Sequence, residues 1–308
     1  MIYIFTPQTP LTEYLFTDID GLTPIFYPQR INYSVVDRGG IFFYNHFCNK
    51  IYTNPLPGDV TRKLRSIKTT DKLIVIEEYS YLLNLVSRLC KHVNNKSLYL
   101  WNPIAKTNIS VGRYNYQKLD PCERYLEFCK SLGFRISTFD IQDSIDYKIG
   151  YYPQFYRLKN SVVGNDLTSD FFFCGTEKGR KAKIDMFQRV LSKFGLCDFI
   201  IVGKGFNDPL PYNQYLEHIY STKVLCDITQ DNQSGLTQRA IEAMFLEKKL
   251  ITNNENIKQY DFYNERNILI MNEDTSEQSV FAFLNLDMKN VSSNILSKYH
   301  VETWANSI

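Results

Sequence analysis

The chain has 308 residues, of which 44% are hydrophobic and 22% are charged, so it can bury a sizeable core. Its 35 Lys and Arg residues against 33 Asp and Glu give a formal charge of +2, which excludes a nucleic-acid binder held mainly by charge. This length favours two domains of about 150 residues each.

Short β-rich runs alternate with helical periods in the first half of the chain. Strands are predicted over residues 2–5, 41–44, 72–77, 97–101 and 134–137. Apolar residues at three- and four-residue spacing predict a helix over 81–93, and a second helix over 120–132 ends at Gly133. Asp140 and Asp143 are expected to cap a further helix that follows Thr138.

The alternation lapses over residues 148–170 and then restarts more clearly. Strands are predicted over 171–174, 198–202, 223–227, 249–252 and 267–271, and helices over 179–194, 212–221, 237–247 and 276–284. Strands that alternate with helices of this length indicate parallel βαβ units. We therefore expect an α/β protein with two Rossmann-like domains, residues 1–155 and 156–308, that face a central cleft between the carboxyl ends of their strands, where a ligand would bind.

Residues 171–180, FFFCGTEKGR, run from a strand through a glycine-bearing turn into a helix. Gly175 and Gly179 would let the backbone approach a ligand closely, and the free N–H groups of a helix start favour an anion. Lys178 and Arg180 add positive charge at the same end, which is unfavourable unless an anion is expected. The segment predicts a phosphate site, although it matches neither the Walker loop nor GxGxxG. The alternative is an ordinary turn with solvated charges.

A second polar segment follows the strand that ends at Asp227. The candidate binding residues between that strand and the next helix are Gln233, Ser234, Gly235, Leu236 and Thr237. Within the helix, a carboxylate at Glu242 could accept both hydroxyls of a ribose. The alternative is that Glu242 pairs with Arg239, three residues earlier on the same helix.

Three residues of the first half are candidate catalytic bases. Glu77 and Glu78 close the strand KLIVIEE, where a carboxylate could face a ligand, and His46 lies in the turn FFYNHF. Acidic residues at strand ends and packed histidines are also common without any catalytic role.

Signals for a metal or a membrane span are weak. The DID sequence at Asp18 has the form of a metal-binding DxD motif, but it lies in a common Asp-Gly turn, and no metal is expected. The seven cysteines show no CxxC spacing, and the sequence predicts neither a secretory signal nor a membrane-spanning stretch. A cytoplasmic protein with free thiols is therefore expected.

Several segments together resemble a known group of enzymes. The turn over 171–180 and the later S-G-L-T-x-R-x-x-E-A-M…K-K-L-I-T-x-N pattern are similar to those of GT-B glycosyltransferases that build bacterial lipopolysaccharide O-antigen or capsule chains. WNPI (101–104), STFDIQD (137–143), YYPQFY (151–156) and YDFYNERNI (260–268) resemble the same group. The similarity extends from about residue 70 onward.

The resemblance implies a hexosyltransferase-type enzyme that takes its sugar from a nucleoside diphosphate. The C-terminal domain would hold this donor, with Lys178 and Arg180 near the diphosphate, Glu242 on the ribose and residues 235–237 beside the phosphates and sugar. Arg239 could add charge stabilisation at the leaving diphosphate.

The resemblance also assigns a role to the other domain. The N-terminal domain would take a lipid-linked saccharide acceptor, with Trp101 and Asn102 as candidate contacts, and could touch the inner membrane peripherally. The last helix, over 294–308, could cross back to it. No cofactor and no nucleic acid are implied.

One departure from the family pattern leaves the stereochemistry open. Retaining GT-B enzymes often carry a second Glu eight residues before the ribose-binding one, where this chain has Ser234. Two other functions also stay open: a nucleotide-sugar epimerase of GT-B shape and a non-catalytic partner in polysaccharide assembly. Donor sugar, base, linkage and oligomeric state are not specified by the sequence.

Overall fold

The computed structural model describes residues 1–29, 31–48, 50–76, 80–104, 121–159, 166–203, 208, 210–230 and 233–308. The chain divides into two compact units. The N-terminal unit comprises Met1–Pro153 with Trp304–Ile308, and the C-terminal unit comprises Gln154–Thr303. Each unit contains one parallel β-sheet with helices, so the α/β class predicted from the sequence is confirmed.

The N-terminal unit is built on a six-stranded parallel sheet of order β2-β1-β3-β4-β5-β6. Its strands are β1 (Ile2–Gln8), β2 (Leu22–Pro28), β3 (Lys72–Ile76), β4 (Asn95–Leu100), β5 (Arg135–Thr138) and β6 (Gly150–Tyr151). Its helices are α1 (Pro10–Phe16), α2 (Val35–Phe43), α3 (Gly58–Ser66), α4 (Ser80–Leu89), α5 (Pro121–Ser131) and α6 (Ile141–Tyr147). A single π-helical turn, Tyr44–Cys48, extends α2.

The central strands are apolar on both faces, as expected for parallel strands covered by helices on each side. In β3, Leu73, Ile74, Val75 and Ile76 are all buried. Such a continuous apolar run gives a clear strand signal in the sequence, and the strand predicted here is confirmed.

The strand predicted over residues 41–44 is wrong, because these residues belong to α2 and the π-helical turn after it. Ser34 and Asp37 form a capping box that starts the helix: the Ser34 hydroxyl accepts from the Asp37 N–H, and the Asp37 carboxylate accepts from the Ser34 N–H. Gly40 lets the helix pack closely, since a Cβ there would lie 3.1 Å from Thr53 Oγ1. Helix capping and packing therefore override the local preference of Ile-Phe-Phe-Tyr for a strand.

Residues of the chain's end complete the N-terminal unit. Trp304 is buried there, with its ring 5.0 Å from that of Tyr99 and 6.2 Å from that of Phe16, centroid to centroid. Lys72 Nζ donates to the carbonyls of Ala305 and Asn306, in the last turn of α12 (Val301–Ser307). An ammonium group at this end complements the helix dipole.

The C-terminal unit is built on a five-stranded parallel sheet of order β11-β10-β9-β7-β8. Its strands are β7 (Ser169–Thr176), β8 (Cys197–Val202), β9 (Thr222–Asp227), β10 (Lys249–Thr252) and β11 (Ile268–Ile270). Its helices are α7 (Lys181–Leu191), α8 (Tyr212–Tyr220), α9 (Gln238–Phe245), α10 (Glu277–Asn285) and α11 (Ser293–Lys298), with a 3₁₀ turn at Glu255–Gln259. The five strands predicted for this half of the chain are confirmed.

Two adjacent lysines hold elements of this unit together. Lys248 Nζ donates to the carbonyls of Tyr220 and Thr222. These bonds attach the Lys248 side chain to the start of β9. Lys249 is buried, and its Nζ donates to the carbonyls of Phe283, Leu284 and Leu286 at the end of α10. The K-K pair of the KKLIT segment is therefore structural.

Replacing Lys249 by Met should lower the free energy of unfolding by about 1.5–3 kcal/mol, because the carbonyls at the end of α10 lose an ionic donor while the side-chain volume is kept. Urea denaturation would measure the change. Lys258→Met, on an exposed side chain, is the matched control and should stay within about 0.5 kcal/mol of wild type. Equal effects of the two substitutions would contradict a capping role for Lys249.

Candidate functional site

The C-terminal unit has a topological switch point at the carboxyl end of its sheet. The chain leaves β7 towards β8 on one side and then returns to form β9 on the other side of β7. Parallel sheets commonly bind ligands where the strand order reverses in this way. The segments that follow β7 and β9 therefore define the candidate site.

The turn after β7 places one lysine at the surface. The N–H of Arg180 donates to the carbonyl of Glu177, closing a turn whose inner residues are Lys178 and Gly179. Both have left-handed backbone angles, with φ of 40° and 78°. Glycine adopts this conformation readily and lysine does not, so the exposed Lys178 is held in an unfavourable backbone geometry.

Positive charge is concentrated at the start of α7. The cap residue Arg180 makes no side-chain hydrogen bond to the first turn of the helix, and this turn contains no acidic residue. Lys181 and Lys183 lie within the same turn. The N-terminus of a helix already carries a partial positive charge, so these cations oppose the helix dipole. Lys181 is paired with Asp185, and an anion bound at the helix start would offset the remaining opposition.

The Arg180 side chain itself is buried and joins the ends of β7 and β9. Its Nε and Nη2 donate to the carbonyl of Thr176 at 2.9 and 2.7 Å, and Nη1 donates to the carbonyl of Ile228. Burial and the nearby Arg239 charge lower the pKa of Arg180 to about 10, so it remains protonated at neutral pH. Arg180 thus contributes a buried positive charge to the switch point.

Asp227, the last residue of β9, is the buried carboxylate of the site. Its Oδ1 accepts from Thr237 Oγ1 at 2.8 Å and from Arg239 Nε at 3.2 Å, and its Oδ2 accepts from Thr252 Oγ1 at 3.2 Å. Burial is the largest influence on the pKa of Arg239 and lowers it, but the Asp227 carboxylate together with Tyr215, Glu242 and Cys174 gives a net upward shift. Asp227 therefore fixes Arg239 and the start of α9 at the ends of β9 and β10.

The two guanidinium groups share one aromatic ring. The Cζ atoms of Arg180 and Arg239 lie 5.3 and 5.1 Å from the centroid of the Phe173 ring. Gly175 leaves the room for them, since a Cβ there would lie 2.7 Å from Arg180 Nη2 and 3.6 Å from Arg239 Nη1. These two cations lie near the Asp227 carboxylate, and Glu242 is close enough to raise the pKa of Arg239 as well.

The loop before α9 carries the other predicted binding residues. Thr237 caps α9 with its side chain accepting from the Ala240 N–H, and the Gly235 carbonyl accepts from Asn254 Nδ2 at 3.2 Å. Gly235 and Leu236 are buried, whereas Gln233, Ser234 and Thr237 are partly exposed. The sequence prediction that these five residues contact a ligand stays a prediction.

Glu242 is buried among tyrosines. Its Oε1 accepts from the Tyr212 hydroxyl at 2.8 Å and its Oε2 from the Tyr215 hydroxyl at 2.7 Å, and the hydroxyls of Tyr212 and Tyr156 lie 3.0 Å apart. Burial raises the pKa of Glu242, although the two tyrosine hydrogen bonds and Arg239 oppose the shift. Both oxygens are engaged within the protein, and the ion pair of Arg239 is with Asp227.

The predicted residues of the first half lie in the N-terminal unit. Trp101 and Asn102 follow the carboxyl end of β4, with Trp101 partly buried and Asn102 exposed. His46 lies in the π-helical turn, where its Nδ1 donates to the Phe42 carbonyl at 2.8 Å and its ring stacks on that of Phe42 at 4.2 Å. Glu77 and Glu78 lie outside the described residues.

Sequence reasoning missed three polar partners in the C-terminal unit: Asp227, Tyr212 and Tyr215. The only available signal for Asp227 was a carboxylate at the end of an apolar strand, and Tyr212 and Tyr215 showed only the three-residue spacing of one helix face. Asp227 bonds to Arg239, 12 residues further along the chain, and Tyr212 bonds to Glu242, 30 residues further along. Local sequence patterns do not reveal contacts at such separations.

Two further observations concern the part of the chain that the structure describes. There, no three His, Cys, Asp or Glu side chains lie together in a way that could hold a metal ion. None of the helices within the same residues is both long and apolar enough to cross a bilayer.

No protein-family model matches the chain, and no curated protein shows significant sequence similarity to it.

Replacing Asp227 by Asn should lower the free energy of unfolding by about 3–5 kcal/mol, because Arg239 and Arg180 would lose their shared buried counter-charge. Asn keeps an oxygen acceptor for Thr237 or Thr252, so the effect isolates the charge. Urea denaturation measures it.

The matched control for this substitution is Asp185→Asn. Asp185 pairs with Lys181 on the surface of α7, with both side chains more than half exposed. Loss of that pair should change the unfolding free energy by at most about 1 kcal/mol. If Asp227→Asn changed the free energy of unfolding as little as Asp185→Asn, the charge of Asp227 would not stabilise the site as described.

The raised pKa of Glu242 predicts a pH-dependent stability difference between wild type and Glu242→Gln. The folded state holds a proton on Glu242 more tightly than the unfolded state, whose pKa is near 4.5. Wild type should therefore lose unfolding free energy relative to Glu242→Gln as the pH rises from that value through the raised pKa. Denaturation curves over this pH range measure the difference, with the exposed Glu255→Gln as the control. A pH-independent difference would contradict the assignment.

Proposed function

We propose that the protein is a GT-B-type glycosyltransferase that moves a sugar from a nucleoside diphosphate to a lipid-linked saccharide acceptor in surface polysaccharide synthesis. The observation that carries the proposal is the cluster of cations at the switch point of the C-terminal unit. Arg180 and Arg239 share Asp227 there, and the start of α7 adds cations where the helix dipole opposes them. A diphosphate is the kind of ligand that such a centre favours.

The division of these cations by burial suggests distinct roles. Arg180 and Arg239 bond to main-chain carbonyls and to Asp227, so they would set the shape and the potential of the site. Lys178 is exposed on the turn and would contact the phosphates directly, together with the first N–H groups of α7. Fixed donors and charges of this kind stabilise the charge that develops on a leaving diphosphate.

Glu242 takes a different role in this proposal from the one that the family resemblance implies. A ribose could use its carboxylate only by displacing the hydroxyls of Tyr212 and Tyr215. We infer that Glu242 positions α9 against α8 and acts on the ligand only through this packing.

The acceptor and the base belong to the N-terminal unit in this proposal. Trp101 and Asn102 lie at the carboxyl end of its sheet, where an indole ring could stack on a sugar face. Glu77, Glu78 and His46 remain the candidate bases for activating the acceptor hydroxyl. The donor needs no metal if Lys178 and the α7 terminus neutralise the diphosphate.

Nucleotide binding tests the proposal at its first step. A thermal-shift screen against UDP, GDP, CDP, CMP and their sugar conjugates should give a higher melting temperature with one nucleoside diphosphate. Lys178→Gln should weaken that binding about tenfold, as expected for the loss of one ionic contact to phosphate. Lys178 is the suitable probe because it is exposed, whereas substitutions of Arg180 or Glu242 would disturb buried groups.

Lys223→Gln is the matched control. Lys223 is also exposed, but it lies at the amino end of β9 and pairs with Asp170 at 2.7 Å. It should leave nucleotide affinity unchanged. No shift with any nucleotide would contradict the proposal and the epimerase alternative together. Binding followed by conversion of the sugar conjugate without an acceptor would favour the epimerase instead.

A further inference from the structure

Two adjoining cavities lie at the amino ends of the C-terminal strands, at the edge of the sheet opposite the switch point. The larger has a volume of about 580 Å³ and is lined by the starts of β7, β9 and β10. The smaller has a volume of about 160 Å³ and lies against α9. Glu247, Lys248 and Met288 line both, so the two cavities meet at these residues.

The smaller cavity is mostly apolar. Ala240 and Ala243 leave the space on the side of α9, and Phe262 lines the wall as well. The Asn267 amide at this wall is already used, because it donates to the Lys289 carbonyl and accepts from the Lys289 N–H. An apolar cavity of about 150 Å³ holds a molecule of the size of benzene.

Lys248 is a cation whose hydrogen bonds, within the described residues, go only to main-chain carbonyls. Its Nζ donates to Tyr220 and Thr222 at 3.0 and 2.7 Å. An ammonium group has three N–H donors, so one is still available to a ligand. Burial lowers the pKa of Lys248, and no described carboxylate opposes the shift. A partly buried charge without a counter-charge is costly, and an anion would relieve that cost.

Two buried hydroxyl groups lie beside Lys248. Thr222 is fully buried and Ser169 is 7% exposed, and the two residues are neighbours in register on β9 and β7. Neither hydroxyl has a hydrogen-bond partner among the described residues. Thr222 lines the larger cavity, as does Val224 two residues later on the same face of β9, so the Thr222 side chain is directed towards the cavity. Unpartnered buried hydroxyls are rare, and a ligand that accepts from Thr222 would satisfy one of them.

The acidic residues around the larger cavity do not serve Lys248. Asp170 accepts from Lys223 Nζ at 2.7 Å, and Glu247 and Asp287 are exposed. Lys248, in contrast, has an available donor next to the Thr222 hydroxyl. Two donors side by side, one of them charged, suit a carboxylate better than an amine.

We propose that the two cavities form one binding site for a small organic carboxylate with an apolar body. The carboxylate would accept from Lys248 Nζ and from the Thr222 hydroxyl, and an apolar body of about six carbons would fill the smaller cavity behind α9. Met288 lies at the junction, where its flexible side chain can adapt to the connecting atoms. This site goes beyond the proposed function, because it lies at the opposite edge of the sheet and needs no nucleotide.

The probe is 3-phenylpropionate, whose ring matches the smaller cavity and whose carboxylate is joined to it by a short flexible link. It should raise the melting temperature of the full chain without nucleotide and bind saturably in a ligand-observed NMR titration. 3-Phenylpropan-1-ol, which lacks the charge, should bind about tenfold more weakly. Acetate and 3-phenylpropylamine should show no saturable binding. Absence of binding by 3-phenylpropionate, or equal binding of the amine, would overturn the proposal.

Two substitutions test the two halves of the site without removing a hydrogen bond of the protein. Thr222→Val removes the unpartnered hydroxyl at nearly constant volume, so the free protein should melt at a higher temperature while 3-phenylpropionate binds about fivefold more weakly. Ala243→Leu should fill the smaller cavity and abolish binding of both the acid and the alcohol. Wild-type affinity in both variants would overturn the proposal.

The charge of Lys248 is tested against that of Lys223, a second lysine of the larger cavity that is exposed and pairs with Asp170. Lys248→Met should weaken binding of the acid about tenfold and leave binding of the alcohol unchanged. Lys223→Met, the matched control, should leave the affinity for the acid within about twofold of wild type. Equal losses in the two lysine variants would contradict the placement of the carboxylate on Lys248.

Discussion

The candidate site depends on one buried carboxylate. Asp227 ends β9 and receives hydrogen bonds from α9 through Thr237 and Arg239 and from β10 through Thr252. Without its charge, two buried arginines would lie near each other with only main-chain carbonyls and the more distant Glu242 to compensate them, which is costly. The Asp227 carboxylate therefore fixes the start of α9 against the ends of β9 and β10, and it also sets the local electrostatic potential.

The fold was largely predictable because parallel strands covered by helices are continuous apolar runs. The strands of the C-terminal unit were found in this way. Two of the differences from prediction in the N-terminal unit have clear physical causes: β2, which is not among the predicted strands, and residues 41–44. The strand β2 contains Pro24 and Pro28, which weaken a strand signal, yet it lies at the edge of the sheet where proline is tolerated. Residues 41–44 look like a strand locally, but the Ser34–Asp37 capping box and close packing at Gly40 make them helical.

The site was predictable only in part. Cations beside Gly179 at a strand–turn–helix junction gave a local signal, and the structure places Lys178 and Arg180 there. Lys178 is exposed and Arg180 is buried because of the backbone conformation of the turn between them, which the sequence does not specify. The engagement of Glu242 by Tyr212 and Tyr215 arises from the packing of α8 against α9. Such long-range packing leaves no pattern that a single sequence reveals.

The most direct measurement of the central claim is a map of amide NMR shifts in the full chain on addition of the nucleoside diphosphates. If the positive centre binds a diphosphate, the largest changes should fall on the N–H groups of Lys178, Gly179 and the first turn of α7. Smaller ones should fall on Thr237 and Arg239, where α9 begins. Changes confined to other parts of the chain, or no change with any of these nucleotides, would contradict the account.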